Sequence, residues 1–441
     1  MYVASRLPIT TDVSGWVHML PARHPNLPLT ETITADIAII GGGFAGLSAA
    51  RRLSLLDPSL RVVVLEAGVI GEGAAGRNSG FIIDLPHEVS SDDFGKSSNE
   101  RALRDITLYR TAIELAATMA QEQGWGKDIY DPCGRYSVAI SGQGDDHIKS
   151  YASQLDGLNE PYTLLDAKEI VGVTGCSTYT SGLYMPGTVM IQPAAYIRSI
   201  ADSFKAPIRV LENTPALSFE KASGGWSIKT PKGRVNAGKI ILANNGHAES
   251  FGFFKGNLLH IFTYASMTEP FDPKRLAGQR DWAATPALPM GTTVRRISGK
   301  DGDRVLIRSR YTYHSKPQVS DATVQRAGRV HDHKFADRFP SLNGVAMQYR
   351  WGGPMALTRN SVPAFGEVDQ GVIAACACNG LGASKSTAAG IAAAEVALGV
   401  KTAMTEIFSQ YANPVSLPPQ PFLSIGAKAN LRYKEWQAGR E

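Results

Sequence analysis

A glycine turn near the amino terminus restricts the fold of this chain more than any other feature. Gly41, Gly43 and Gly46 follow the apolar run Asp36–Ile40. They open the segment Leu47–Leu56, in which Leu47, Ala50 and Leu53 share one helical face. Asp57-Pro58 breaks that helix, and Arg61–Glu66 reads as a second buried strand ended by Ala67-Gly68. Strand, turn, helix and strand in that order predict a β-α-β unit and hence an α/β fold with parallel strands. In such a unit Gly41 permits the tight turn, Gly43 admits a pyrophosphate to the backbone, and Gly46 lets helix and strand pack closely. Phe44 and Ala45 lie inside the turn, where free N–H groups of the helix start favour phosphate. Glu66 follows Gly46 by 66 − 46 = 20 residues, the place of a carboxylate that holds a ribose hydroxyl. The motif therefore predicts a dinucleotide site.

The next segment selects the dinucleotide. Gly71–Gly80 is a second small-residue loop, and it contains Arg77-Asn78. A flavin ring system needs backbone close to it, which glycines permit; a nicotinamide has no evident use for such a loop. The prediction is FAD.

Further along, the pattern is interleaved. Asn99–Gln123, Leu164–Val171 (capped by Asp166), Pro193–Phe204, Asp321–Arg338 and Ser384–Leu398 read as helices. Gly134–Ile140, Ile208–Glu212, Ala216–Glu220, Gly225–Lys229, Gly233–Asn236, Lys239–Ala243, Leu258–Thr268, Thr292–Ile297, Arg304–Tyr313 and Gly371–Cys378 read as strands. Ser181–Gln192 reads as a loop, and the tail from Asn413, with four prolines, shows no regular pattern. The expected organisation is a Rossmann-like FAD-binding domain from residues 34–90, 185–250 and 363–405, interleaved with a mostly antiparallel-sheet substrate domain from 91–184 and 251–362. The class is α/β, or α+β overall. Residues 1–33 form an N-terminal arm that Trp16 anchors, and 406–441 a C-terminal tail.

Composition excludes several functions. No apolar run approaches the ~18–20 residues of a membrane span, and Met1–Thr34 has no signal-like core, which predicts a cytoplasmic enzyme. The net charge of +5 is dispersed over 45 basic and 40 acidic residues, with no basic run for nucleic acid. Cys133, Cys176, Cys376 and Cys378 have no metal-ligand spacing; Cys376 and Cys378 would face one side of a strand as small apolar residues.

Four segments together resemble the D-amino acid oxidase superfamily of FAD-dependent amine oxidoreductases, nearest its γ-glutamylputrescine oxidase branch. They are Asp36–Ala50; Leu65–Gly68 with Gly73–Gly80; Tyr349–Pro363; and Asn379–Gly382. The resemblance implies a fold of the glutathione-reductase-2 type, and that Gly41, Gly43, Gly46, Glu66 and Ala67 hold the ADP half of FAD. It implies that Arg77, Asn78 and Ser79 lie near pyrophosphate and flavin, and that Ala216 and Leu217 bond the adenine through their main chain. Asn245-Gly246 would close the cofactor cleft. Gly353 and Gly380, Leu381, Gly382, Ala383 and Ser384 would lie against the flavin. No cysteine or histidine stands where relatives attach FAD covalently, so non-covalent FAD is expected. The strand Arg304–Tyr313 lacks the lysine with which sarcosine-type oxidases activate oxygen, a place Arg308 or Arg310 would take; reoxidation by O2 is expected, with a dehydrogenase using another electron acceptor as the alternative.

The implied reaction is oxidation of a C–N bond of a small amine or amino acid by hydride transfer to flavin N5, giving an imine that hydrolyses; the cofactor carries the chemistry. Arg308, Arg310 and Trp351 are the candidate catalytic residues. Arg296, Tyr264, Tyr311 and Tyr313 are the candidate substrate contacts. A guanidinium on this sheet binds a carboxylate by two parallel bonds, although any one arginine is equally well a solvated sheet residue. His87 and His260 are expected to be structural. A flavin monooxygenase or NAD(P)H reductase would need a second nicotinamide or hydroxylase motif, and none is found. A non-catalytic FAD-binding subunit is the remaining alternative.

Overall fold

The computed structural model describes residues 1–10, 12–86 and 96–441. Its first sheet is built on Thr32–Ile40, which lies parallel to Val62–Leu65 on one side and to Arg234–Leu242 on the other. Ile208–Leu211 extends it parallel to Val62–Leu65, and Val372–Cys376 lies parallel to the far half of Arg234–Leu242. Helices cover one face, so Val62–Leu65 is buried throughout and reads as continuous aliphatic sequence. Phe44–Leu56 and Thr387–Leu398 pack on that face almost backbone to backbone: a Cβ on Gly390 would lie 2.1 Å from the Ala45 carbonyl. The opposite face carries an aromatic cluster of Phe219, Trp226, Phe251 and Phe253.

The second sheet has the order Met347–Thr358, Leu258–Thr268, Arg304–Tyr313, Thr293–Ile297, Trp282–Pro286, Arg135–Ala139, Ser181–Met185, Thr163–Leu165. Neighbours are antiparallel except where Trp282–Pro286 meets Arg135–Ala139. Asp321–Arg338 packs behind it, burying Phe335 with Phe339 and Trp282. A small sheet of Phe81–Ile82, Val189–Ile191 and Tyr130–Asp131 lies beside these. The mixed α/β class and the antiparallel second sheet follow the sequence reading.

Several elements differ from it. Ser181–Gln192 is not a loop: its Gly and Pro punctuate two short strands, Ser181–Met185 and Val189–Ile191. Gly233–Asn236 and Lys239–Ala243 are one strand, Arg234–Leu242, which stays extended through Gly238. The helix Gly142–Leu158, capped by Ser141, and the strand Trp282–Pro286 were not expected. The tail contains a helix, Phe422–Ala438; the prolines at 414–421 precede it rather than break it. Lys96–Gln123 lies within the 91–184 segment by sequence, yet Leu108, Ala112, Ala116 and Met119 pack into the core beneath the parallel sheet. Cys376 ends its strand and Ala377 has φ +54°, so alternation breaks and Cys378 does not follow Cys376 to one face. His87 lies outside the described residues.

The arm is ordered. Tyr2–Val3 adds to the sheet edge, and Gly15–His18 forms one helical turn with Trp16 fully buried.

Candidate cofactor and substrate site

The carboxyl ends of the parallel strands, the second glycine loop and the inner face of the second sheet enclose one large cavity of about 380 Å³. Gly41 has φ +112°, and a Cβ there would meet the Ala243 carbonyl at 2.6 Å. A Cβ on Gly46 would lie 1.8 Å from the Gly41 carbonyl. Packing within the protein thus requires both residues. Gly43 differs: its Cβ would meet only Ala75 Cβ, at 3.6 Å, and a Cβ on Gly73 would meet nothing within 4 Å. The space beside these two glycines belongs to whatever fills the cavity. Gly43 caps the helix Phe44–Leu56 with no side-chain cap, leaving the N–H groups of Phe44 and Ala45 toward that space. Glu66, at the end of the second strand, accepts from the Gly42 N–H at 2.8 Å and the Gly68 N–H at 2.9 Å. Burial raises its pKa, and these backbone donors oppose the rise. Ala67 lines the wall beside it.

The second glycine loop is held by two indoles. Trp351 Nε1 donates to the Arg77 carbonyl at 2.9 Å, and Trp16 Nε1 to the Asn78 carbonyl at 2.8 Å. Asn78 closes its own turn, accepting from the Gly80 N–H at 2.8 Å and donating to the Ala75 carbonyl at 2.6 Å. Arg77, Asn78 and Ser79 all line the cavity. The Arg77 guanidinium, however, is used within the protein. It pairs with Asp12 at 2.6 Å and donates to the Glu72 carbonyl at 2.7 Å and the Gly352 carbonyl at 3.0 Å.

Opposite, Gly380, Leu381, Gly382, Ala383 and Ser384 line the cavity at the start of the last core helix. Gly380 has φ +89°, and Gly382–Ser386 forms a π-helical turn continuous with Thr387–Leu398. Ser384 Oγ donates to the Ile83 carbonyl at 2.7 Å, which fixes this turn to the end of the strand Phe81–Ile82 that follows the glycine loop. Asn245 (φ +49°) accepts from the Ala377 N–H at 3.0 Å, joining two strand ends, and Gly246 sits against His260. Ala216 lines the cavity. Leu217 does not: its N–H donates to the Lys229 carbonyl and its carbonyl accepts from the Ala4 N–H, both at 2.8 Å, so both groups are engaged within the protein.

The second sheet supplies the remaining wall, including Tyr264, Arg308 and Gly353. Arg308 stacks over the Tyr311 ring at 4.8 Å and has no acidic partner among the described residues. Tyr264 shares a 2.5 Å hydrogen bond with Thr312, which in turn bonds His314 Nε2 at 2.8 Å.

Other expected site residues are elsewhere. Arg310 pairs with Glu435 at 2.5 Å, because a bulge opposite Thr263/Tyr264 gives it φ +61° and breaks its alternation with Arg308. Arg296 is fully buried against Asp303 at 2.8 Å, on the far side of its sheet, with four backbone carbonyls around it. Trp351 is 0 % exposed in a cluster with Trp16 and Met267, so it supports the wall without lining it. Tyr313 accepts from Gln420 at 2.8 Å, and Tyr311 meets Arg308 without lining the cavity. Neither carries out the substrate contact expected of it from within the cavity. Conversely, the arm residues Arg6–Thr10, Thr263, Thr293, Cys378 and the pair His247/His260 line the cavity and were not anticipated as site residues. His260 Nε2 bonds Glu249 at 2.7 Å, and burial pushes His247 down to about 4. No periodicity marks such residues; the fold alone assembles them.

This set of walls, a glycine-turn helix start with an acid on the next strand and a second sheet across the cavity, defines a flavin-binding oxidoreductase. The chain belongs to the FAD dependent oxidoreductase (DAO) family, whose model matches residues 36–396. It is 28% identical over 408 residues to a probable oxidoreductase OrdL of Rhizobium meliloti (strain 1021), covering 90% of each chain. It is 27% identical over 432 residues to the gamma-glutamylputrescine oxidoreductase of Escherichia coli (strain K12), covering 89% of each. In fold it is similar to glycine oxidase from Geobacillus kaustophilus, with a TM-score of 0.68 at 20% identity over 84% of this chain and 96% of that one. The cofactor is FAD, and the open approach to the backbone at Gly43 and Gly73 fits it. Among the described residues no His, Cys, Asp and Glu cluster could hold a metal, and no helix is long and apolar enough to cross a membrane.

Proposed function

We propose that this enzyme oxidises a C–N bond of a small amine or amino acid that bears a carboxylate, with non-covalent FAD. The observation that carries this reading is Arg308: a guanidinium on the cavity wall with no acidic partner among the described residues, beside Tyr264 and Gly353. The names of the Escherichia coli relative and of the glycine oxidase neighbour both contain nitrogenous substrates, which supports it.

The glycine turn, Glu66 and Ala216 would hold the ADP half, and Asn78–Ser79, Gly353 and Gly380–Ser384 the ring system. Bound FAD supplies the two-electron acceptor for a hydride leaving the carbon beside nitrogen, and the imine so formed hydrolyses in water. Arg308 fixes the carboxylate by two parallel bonds and so orients that carbon. A reacting amine is neutral, so its proton leaves first. The bonded series Tyr264, Thr312, His314 leads away from the cavity wall and offers that proton an outlet.

The test is anaerobic mixing with a panel of amines, D- and L-amino acids, N-methyl amino acids and γ-glutamyl amines. A substrate bleaches the flavin absorbance; if none does, the reading fails. Admitting air then separates two acceptors. The described cavity lining contains no lysine, which favours slow reoxidation and an acceptor other than O2.

A further inference from the structure

The C-terminal helix Phe422–Ala438 carries its large apolar side chains outward. Phe422, Ile425, Tyr433 and Trp436 are 69, 64, 55 and 75 % exposed. With Ala429 they are spaced 3, 4, 4 and 3 residues apart, which puts them on one stripe of a helix. Tyr433 and Trp436 stack at 6.0 Å within it.

The helix is not waiting to fold further onto its own chain. Its inner face is already seated on the second sheet, where Glu435 pairs with Arg310 at 2.5 Å. Both ends are pinned. Before the helix, Gln420 donates to Tyr313 at 2.8 Å. After it, the buried Glu441 accepts from Ser141 Oγ at 2.7 Å through its side chain and from Thr292 Oγ1 at 2.8 Å through its main chain. The stripe is therefore a fixed apolar surface, and surfaces of that kind mark contact with something else.

Charge decides what that is. Lys428 and Arg432 are exposed along one flank of the stripe. The only acid on the helix is Glu435, which Arg310 consumes. A second copy docking with its helix antiparallel about a two-fold axis would lay the flank of Lys428 and Arg432 against the same cationic flank of its partner. A surface that is apolar beneath and anionic above meets both requirements: aromatic side chains enter the acyl boundary while the cations meet headgroups. We infer that the outward stripe of this C-terminal helix docks the enzyme peripherally on an anionic lipid surface.

The experiment is cosedimentation of the flavin-loaded, full-length protein with phosphatidylglycerol-rich vesicles and with pure phosphatidylcholine vesicles. The protein should pellet with the anionic vesicles, release as salt is raised, and show a shift of tryptophan emission to shorter wavelength on binding. F422S/W436S should lower the partition about tenfold or more, since two exposed side chains lose their burial. K428E/R432E should lose the preference for anionic lipid while keeping the flavin spectrum; this pair alters exposed charge alone and keeps the test decisive if the serine pair misfolds. Equal pelleting of wild type and both variants overturns the proposal. So does a lipid-free dimer, seen by sedimentation velocity, that F422S/W436S dissolves, because a second copy would then cover the stripe.

Discussion

Gly43 and Gly46 belong to one motif but answer to different forces. Adding a methyl at Gly46 drives it into the Gly41 carbonyl at 1.8 Å, where backbone cannot yield. Gly46→Ala should cost more than about 4 kcal/mol and show as loss of soluble protein. Gly43→Ala meets only Ala75 at 3.6 Å. It should change the unfolding free energy of the apoprotein by less than about 1 kcal/mol yet weaken flavin retention about tenfold or more, measured by ultrafiltration. Arg308→Met should raise KM for carboxylate-bearing substrates about tenfold to a hundredfold, the worth of a charge-assisted pair, with a smaller change in kcat; an unchanged KM would remove Arg308 from the site. Cys378 lines the cavity, whereas burial pushes the Cys376 thiol up to about 12. Maleimide should therefore label Cys378 in the apoprotein and be blocked by FAD, and Cys376 should stay unmodified in both. The arginines show where sequence reasoning stops at this scale. Alternation puts Arg308 and Arg310 on one face; a single bulged residue, invisible in composition, separates them.

Among elements, the arm has the largest role for its length. Trp16 and Trp351 stand 335 positions apart (351 − 16), yet both indole N–H groups bond carbonyls of one loop that the cofactor must approach. Trp16→Ala should cost about 3–5 kcal/mol, the range for truncating a buried aromatic. Trp16→Phe keeps the packing and forfeits the bond to Asn78, so about 1–3 kcal/mol is expected. Chemical denaturation of the holoenzyme would rank the two, and a Trp16→Phe midpoint equal to that of wild type would show that the hydrogen bond is idle. The β-α-β unit and the strands Leu258–Thr268 and Arg304–Tyr313 were legible because their apolar period repeats. Gly142–Leu158 was not, since glycines at 142, 144 and 157 weaken its helical signature and Ser141 supplies the cap only in three dimensions. The C-terminal helix hid behind its prolines, and its outward apolar stripe gives no core-facing pattern to read.

Across the whole molecule, the second sheet, the helix behind it and Glu441 are mechanically linked. Lys334, on the helix behind the second sheet, donates to Thr292 Oγ1 at 2.6 Å and to the main-chain carbonyl of Glu441 at 3.1 Å. Burial, and then Arg338, lower its pKa to about 8. An unfolded lysine titrates near 10.4, so between these values the unfolded chain holds a proton that the folded chain has released. The contribution of Lys334 to stability should therefore rise as pH climbs from about 8 toward 10 and stay level below. Denaturant midpoints of wild type and Lys334→Met should diverge in favour of wild type across that window; parallel curves would show that the ammonium is solvated.

The sequence by itself determined the dinucleotide turn, its acid Glu66, the second glycine loop and the class of fold, because each is a local pattern with one conformational solution. It also placed Trp16 as the anchor of the arm. Which arginine faces the cavity, that Arg77 clamps the arm, that Arg296 serves Asp303, and that the last helix turns its aromatic stripe to the outside were decided only by tertiary structure. Those outcomes depend on a bulge, on which face of a sheet is covered, and on partners hundreds of residues away.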